Sequence, residues 1–222
     1  MRDTRKSESY FTEYTAYERE RIQKKKEKMI HCSDETKIIR ISSSLFLYQM
    51  NLLIASFSKG AEKDELKTLF QDCCSTVQRM AVLTYEDALR LSSFSVILEC
   101  RDAFQKAVER FPTVYKGDKL LNGLCSFIVS GTAVWEGVYQ FPRIYGAMED
   151  VLNAESKSEK EKALLNYLND WYERNQTSAW YDTLNSANDV YYGYWSFESA
   201  AIAAIFGLNC DVLAQSKYFP KL

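Results

Sequence analysis

Proline and glycine are scarce in this 222-residue chain, at 3 and 8 residues, so little in it forces the backbone to turn. Strand-like alternation is equally scarce, while apolar residues recur at three- and four-residue spacing over long stretches, which predicts an all-α fold. Histidine occurs once, at His31, and the six cysteines (Cys32, Cys73, Cys74, Cys100, Cys125, Cys210) form no CxxC pair. The usual zinc spacings and dithiol motifs are thereby excluded. Cysteines scattered through apolar helical contexts act as small hydrophobes and fit a reducing cytoplasm. An excess of one charge is also missing: 28 basic residues face 30 acidic ones, a formal net charge of -2. The molecule as a whole is not built to neutralise phosphates. No run approaches the roughly 18 consecutive apolar residues of a membrane span. Met1-Arg2-Asp3-Thr4-Arg5-Lys6 leads into a charged helix rather than the apolar core of a signal peptide. Neither membrane nor secretion is expected. Walker loops, GxSxG elbows and dinucleotide fingerprints are absent as well.

What is present is core-forming material, with 46% hydrophobic and 14% aromatic residues. The first helix is expected from about Glu8 to Ile30, and the second from about Glu35 to Ser58, ended by Lys59-Gly60. A third follows from Glu62 to Met80. Thr84 with Asp87 signals the start of a fourth, running through Leu89 and Ile97 and on towards Glu109. Pro112 and Lys116-Gly117-Asp118 mark a boundary at about residues 112 to 118. The expected architecture is a multi-helix bundle, an N-terminal helical module (1–115) packed with a C-terminal one (116–222).

In the second half an apolar helix is expected from about Lys119 to Val129, with helices resuming at Arg143. Ser158-Glu159-Lys160-Glu161 reads as a capping box for a helix that lines up Leu164, Leu168 and Trp171. Asn175-Gln176-Thr177-Ser178 is the exit turn, and a short helix around Trp180 follows. Tyr191-Tyr192-Gly193-Tyr194-Trp195-Ser196-Phe197-Glu198 then opens an alanine-rich helix from about Trp195 to Phe206, apolar on nearly every face and stopped by Gly207. Such a helix belongs in a core. A last turn is expected from Asp211 to Ala214.

Charge is segregated although the total is near zero. Between Leu165 and Ala214 stand six acids, Asp170, Glu173, Asp182, Asp189, Glu198 and Asp211, against one base, Arg174. Asp170 and Glu173 are three apart on one helix and project from one face. With Asp182 and Asp189 they form either an ordinary solvated surface or a docking face for a basic partner. Glu198 differs, falling among Trp195, Ile202 and Ile205 on the helical wheel. It is either catalytic or a buried group that accepts backbone N–H groups and bonds Tyr or Trp donors.

Other chemistry is thinly supported. His31 and Cys32 do not face one another on a helix, nor do Cys73 and Cys74. Lys24-Lys25-Lys26 is offset by Glu20 and Glu27 and reads as a solvated face rather than a nucleic-acid patch. No catalytic residue, metal ligand or cofactor is assigned. The rival readings are a helical enzyme using Glu198 and a helical scaffold or regulator using the basic first helix.

Tyr192-Gly193-Tyr194-Trp195-Ser196-Phe197-Glu198-Ser199-Ala200-Ala201, the tail Tyr218-Phe219-Pro220-Lys221-Leu222, and the upstream Phe141-Pro142-Arg143-Ile144-Tyr145 and Tyr167-Leu168-Asn169-Asp170-Trp171-Tyr172 together resemble the PoNi-type immunity family. Leu53-Ile54-Ala55-Ser56-Phe57-Ser58-Lys59-Gly60 and Tyr85-Glu86-Asp87-Ala88-Leu89 look like its N-terminal module. The chain departs from the pattern at Thr183-Leu184-Asn185, where a His is expected, and at Lys221, where an acid is more usual. The resemblance implies a helical cytoplasmic protein that binds and neutralises a PoNe-type DNase toxin delivered through a secretion system, without catalysis. In that reading Asp170, Glu173, Asp182 and Asp189 face the basic surface of the toxin, while Gly193, Tyr194, Trp195 and Glu198 are a structural signature. The implied partner is the cognate DNase domain, with no direct nucleic acid and no membrane, and a homodimer is left open.

Overall fold

A computed structural model describes residues 1–109, 111 and 115–222. Pro112, the breaker expected at the boundary, lies outside the described residues. Among those described, the regular structure is helical, with a single isolated bridge between Asp118 and Val138 and no sheet. The helices are α1 (Glu8–Ile30), α2 (Glu35–Lys59), α3 (Lys63–Val77), α4 (Tyr85–Leu98), α5 (Arg101–Val108), α6 (Lys119–Ser130), α7 (Pro142–Tyr145), α8 (Met148–Asn153), α9 (Lys157–Arg174), α10 (Phe197–Phe206) and α11 (Cys210–Leu213).

The chain forms two compact units that do not follow its linear order. Unit 1 holds Met1–Thr84, Asp102–Phe111 and Leu184–Gly193, and unit 2 holds Tyr85–Arg101, Pro112–Thr183 and Tyr194–Leu222. Left-handed backbone lies at or near three of the passages between them, at Glu99 (φ 58°), Asp182 (φ 59°) and Gly193 (φ 125°). Glu99 explains why the fourth helix does not run on to Glu109. A left-handed residue cannot continue an α-helix, and there the Cys100 N–H turns back to the Ser95 carbonyl at 3.0 Å. The expected single helix is therefore α4 and α5, one in each unit.

In unit 1, α1 and α2 form a hairpin and α2 packs on α3. Ser7 and Asp34 cap the first two helices by accepting the N–H groups of Tyr10 and Lys37. By length and composition α2 could cross a membrane, although its sequence holds no unbroken apolar run of that length. Over half of its apolar window is buried inside the protein, where Leu45, Met50, Leu53 and Phe57 supply core. The residues before α1 are tied down: Arg2 donates to the carbonyls of Phe57 and Ala61, and Asp3, 1% exposed, accepts from Tyr191 Oη at 2.6 Å. The lysines of α1 pair with neighbouring acids, Lys24 with Glu20 and Lys26 with Asp72, as a solvated face would.

In unit 2, α10 packs against α4, α6 and α9, and α8 packs on α9. The cap of α9 is Ser156, not Ser158: its hydroxyl accepts Glu159 N–H while the Glu159 carboxylate accepts the Ser156 N–H. The box lies two residues earlier than the sequence pattern suggests. Glu161 is thereby free of the cap and accepts the Asn209 N–H at 2.8 Å. Gly123 on α6 lets the Trp135 indole lie directly on the helix, because a Cβ there would stand 1.9 Å from the ring.

Candidate functional site

The aromatic run that opens α10 is a passage between the units. Tyr191 and Tyr192 belong to unit 1, where the Tyr10 hydroxyl donates to the Tyr191 carbonyl and Ser58 Oγ to the Tyr192 carbonyl, both at 2.8 Å. Gly193 then takes a backbone conformation that side-chain-bearing residues rarely adopt, and Tyr194 begins the return to unit 2. Tyr194 is buried, 5.0 Å from the Tyr172 ring and 5.5 Å from Trp180, while Trp195 is half-buried.

Glu198, in the first turn of α10, is 6% exposed. Its Oε1 accepts three hydrogen bonds of 2.7 Å, from Tyr167 Oη, Trp171 Nε1 and Ser196 Oγ. Two of these donors stand on α9, so the carboxylate joins α9 to the start of α10. Burial pushes the Glu198 carboxyl above the ordinary range, against the lowering effect of its donors, and it pushes the Tyr167 hydroxyl up as well. The first two turns of α10 are buried, but Ala204 is exposed and Ile205 and Phe206 are half-buried, so the expectation of burial on nearly every face holds only for its N-terminal part.

Trp171 also stacks on Trp180 at 5.0 Å, and Trp180 donates its indole N–H to Glu86. Trp180 lies in hydrogen-bonded turns rather than the expected short helix, and only Thr183–Asn185 form a 3₁₀ turn. Stacking holds this segment where local helix does not. On the neighbouring side of α9, Tyr172 stacks on Tyr181 at 4.4 Å and on Tyr218 at 5.6 Å, and all three rings are half-exposed.

Three of the four acids expected on one face meet around the C-terminal end of α9. Asp170 and Glu173 are exposed on the helix. Asp182 is brought to it by its N–H, which donates to Tyr172 Oη at 3.2 Å, while the Tyr181 hydroxyl donates to Glu173 Oε2 at 3.2 Å. Asp189 is exposed but belongs to unit 1. Asp170 holds Arg174 at 3.1 Å, whereas Glu173 pairs with no base among the described residues.

An open groove of about 870 Å³ runs beside these acids, with Gln140 to Ile144 on one side and Asp170, Glu173, Arg174, Gln176 and Thr177 on the other. In the sequence the Phe141–Tyr145 segment stands out as a place where helix resumes and as part of a resemblance, and nothing there places it beside α9. The half-exposed tyrosines are missed too. Their one signal is the paired aromatics Trp171-Tyr172 and Trp180-Tyr181.

His31 is exposed at the C-cap of α1, and Cys73 and Cys74 are buried. Burial pushes the Cys125 thiol up to about 11, far from a reactive thiolate. Among the described residues no cluster of His, Cys, Asp and Glu could hold a metal ion.

No curated protein matches the chain. Among solved structures, protein PA2201 from Pseudomonas aeruginosa superposes with a TM-score of 0.70 at 17% identity, covering 95% of this chain and 84% of that one, which is a likeness of fold. Two family models match in tandem: the PoNe immunity protein N-terminal model over residues 2–109 and the C-terminal model over residues 116–222. With both halves matched, in order and over almost its whole length, the chain belongs to the PoNe immunity protein (PoNi) family.

Proposed function

We propose that this chain binds and neutralises a cognate DNase toxin in the cytoplasm, protecting the producing bacterium from itself and its siblings. The observation that carries this reading is the tandem match of both halves to the immunity family. The surface chemistry supports it. A DNase is basic where it holds DNA, and Asp170, Glu173 and Asp182 offer an exposed acidic face with half-exposed tyrosines beside it. Tyrosine-rich patches with charged rims are what interface anchors are made of. Asp189 is proposed as a further contact on unit 1.

Inhibition by occupancy requires no chemistry of the inhibitor, and Glu198 fits that role. It is buried, engaged by three internal donors, and does not line the groove. A barrier against a lethal nuclease has to bind tightly, on the order of nanomolar or better. The direct test is co-expression with a cognate PoNe-type DNase. Rescue of growth and suppression of chromosomal nicking are expected, and death at the rate of toxin alone would remove the proposal.

A further inference from the structure

Among the described residues, the groove beside α9 presents one unpaired charge of each sign. Glu173 lines one wall and accepts only the neutral Tyr181 hydroxyl, at 3.2 Å. Arg143 lines the facing wall with an exposed side chain, and its carbonyl, not its guanidinium, holds α9 by accepting from Arg174 Nη1 at 3.2 Å. The other two charges of the groove, Asp170 and Arg174, are paired to each other. The Arg143 wall also presents apolar surfaces of Phe141, 41% exposed, Pro142 and the half-buried Ile144.

Neither charge meets a charge of opposite sign among the described residues. Glu173 stands in the last turn of α9, where the helix dipole is negative and an acid is unfavourable. Places where a local preference is broken are where functional sites are expected. The open groove has a volume of about 870 Å³, within the size range of ligand clefts.

We propose that this groove is a two-charge socket for a toxin segment that carries a basic side chain beside an acidic one. The basic group meets Glu173, the acidic group meets Arg143, and the aliphatic stems cover Phe141, Pro142 and Ile144. This deepens the immunity reading and rests on it. A socket that demands both signs in one register selects among toxins more sharply than a uniformly acidic face, because a nuclease with the charges exchanged meets like charge at both ends.

The test uses the full chain, its Glu173→Gln and Arg143→Gln variants, and Glu155→Gln as an exposed control outside the groove. Titrated with the purified cognate DNase domain, each groove variant should bind about tenfold more weakly while the control is unchanged. In parallel, the dipeptide N-acetyl-Arg-Asp amide should shift backbone resonances of residues 140–144 and 170–177, and the exchanged N-acetyl-Asp-Arg amide should do so less. Nuclease binding with wild-type affinity in both groove variants would overturn the socket and leave the immunity reading intact. A nuclease that does not bind the wild-type chain would remove the immunity reading, and the dipeptide titration would then decide the socket alone, equal or absent shifts overturning it.

Discussion

Glu198 and Glu173 stand in the same unit of the protein and do opposite things with the same side chain. Glu198 is buried and its Oε1 is surrounded by Tyr167, Trp171 and Ser196. Glu173 is exposed, ends a helix on the unfavourable side of its dipole, and has one neutral donor. An acid whose hydrogen-bonding capacity is used inside a fold contributes to stability, whereas one left facing solvent without a base can contribute to recognition. In this chain the aromatic motif supplies the first kind, and an acid of the second kind stands at the end of α9, where the toxin contact is proposed.

The largest expected effect is on the Glu198 side of that contrast. Glu198→Ala orphans three buried donors and should cost on the order of 3–5 kcal/mol, read from the denaturant midpoint. A loss below that of an exposed acid would show that the donors find other partners. Next comes pH. Because burial raises the Glu198 pKa, the folded state holds that proton more tightly than the unfolded chain. Its contribution is full below the ordinary carboxylate value and is lost as pH rises through the folded value, by about 1.4 kcal/mol for each pH unit separating the two values. Glu198→Gln should remove that decline, so urea melts of the two proteins should diverge as pH rises, in favour of the variant. Ser196→Ala withdraws one donor of the three and should cost about 1 kcal/mol by the same measurement. Glu173→Gln should change the midpoint by less than about 0.5 kcal/mol, with any gain reflecting relief at the helix end.

How much of this was legible in the sequence depends on the range of the interaction. The bounds of α1 follow from an uninterrupted run between Ser7 and His31, and Gly207 ends α10 where a left-handed cap is expected. That Glu198 needs Tyr or Trp donors follows from an acid set among apolar residues. That the donors are Tyr167 and Trp171, about thirty residues upstream, depends on how α9 packs on α10. Errors were local competitions decided by tertiary structure. Two serines could cap α9 and Ser156 did, and Trp180 was held by stacking on Trp171 instead of by a helix of its own. The interleaving of the two units was not legible, because the turns at Glu99 and Asp182 carry no Gly or Pro. Hence Asp182 and Asp189, seven residues apart and grouped by charge, belong to different units. The groove was hidden for the same reason, since its walls are distant in sequence and carry no shared motif.

The proposed recognition surface is the acidic end of α9 and not the aromatic motif. It is tested most directly by stopped-flow association of the purified chain with the nuclease proposed as its cognate toxin, at low and high salt, for wild type and Asp170→Lys/Glu173→Lys. The account predicts that wild-type association slows with added salt, and that the double variant associates about tenfold more slowly at low salt with a flatter salt dependence. Association of the double variant at the wild-type rate, with the same salt dependence, would contradict it.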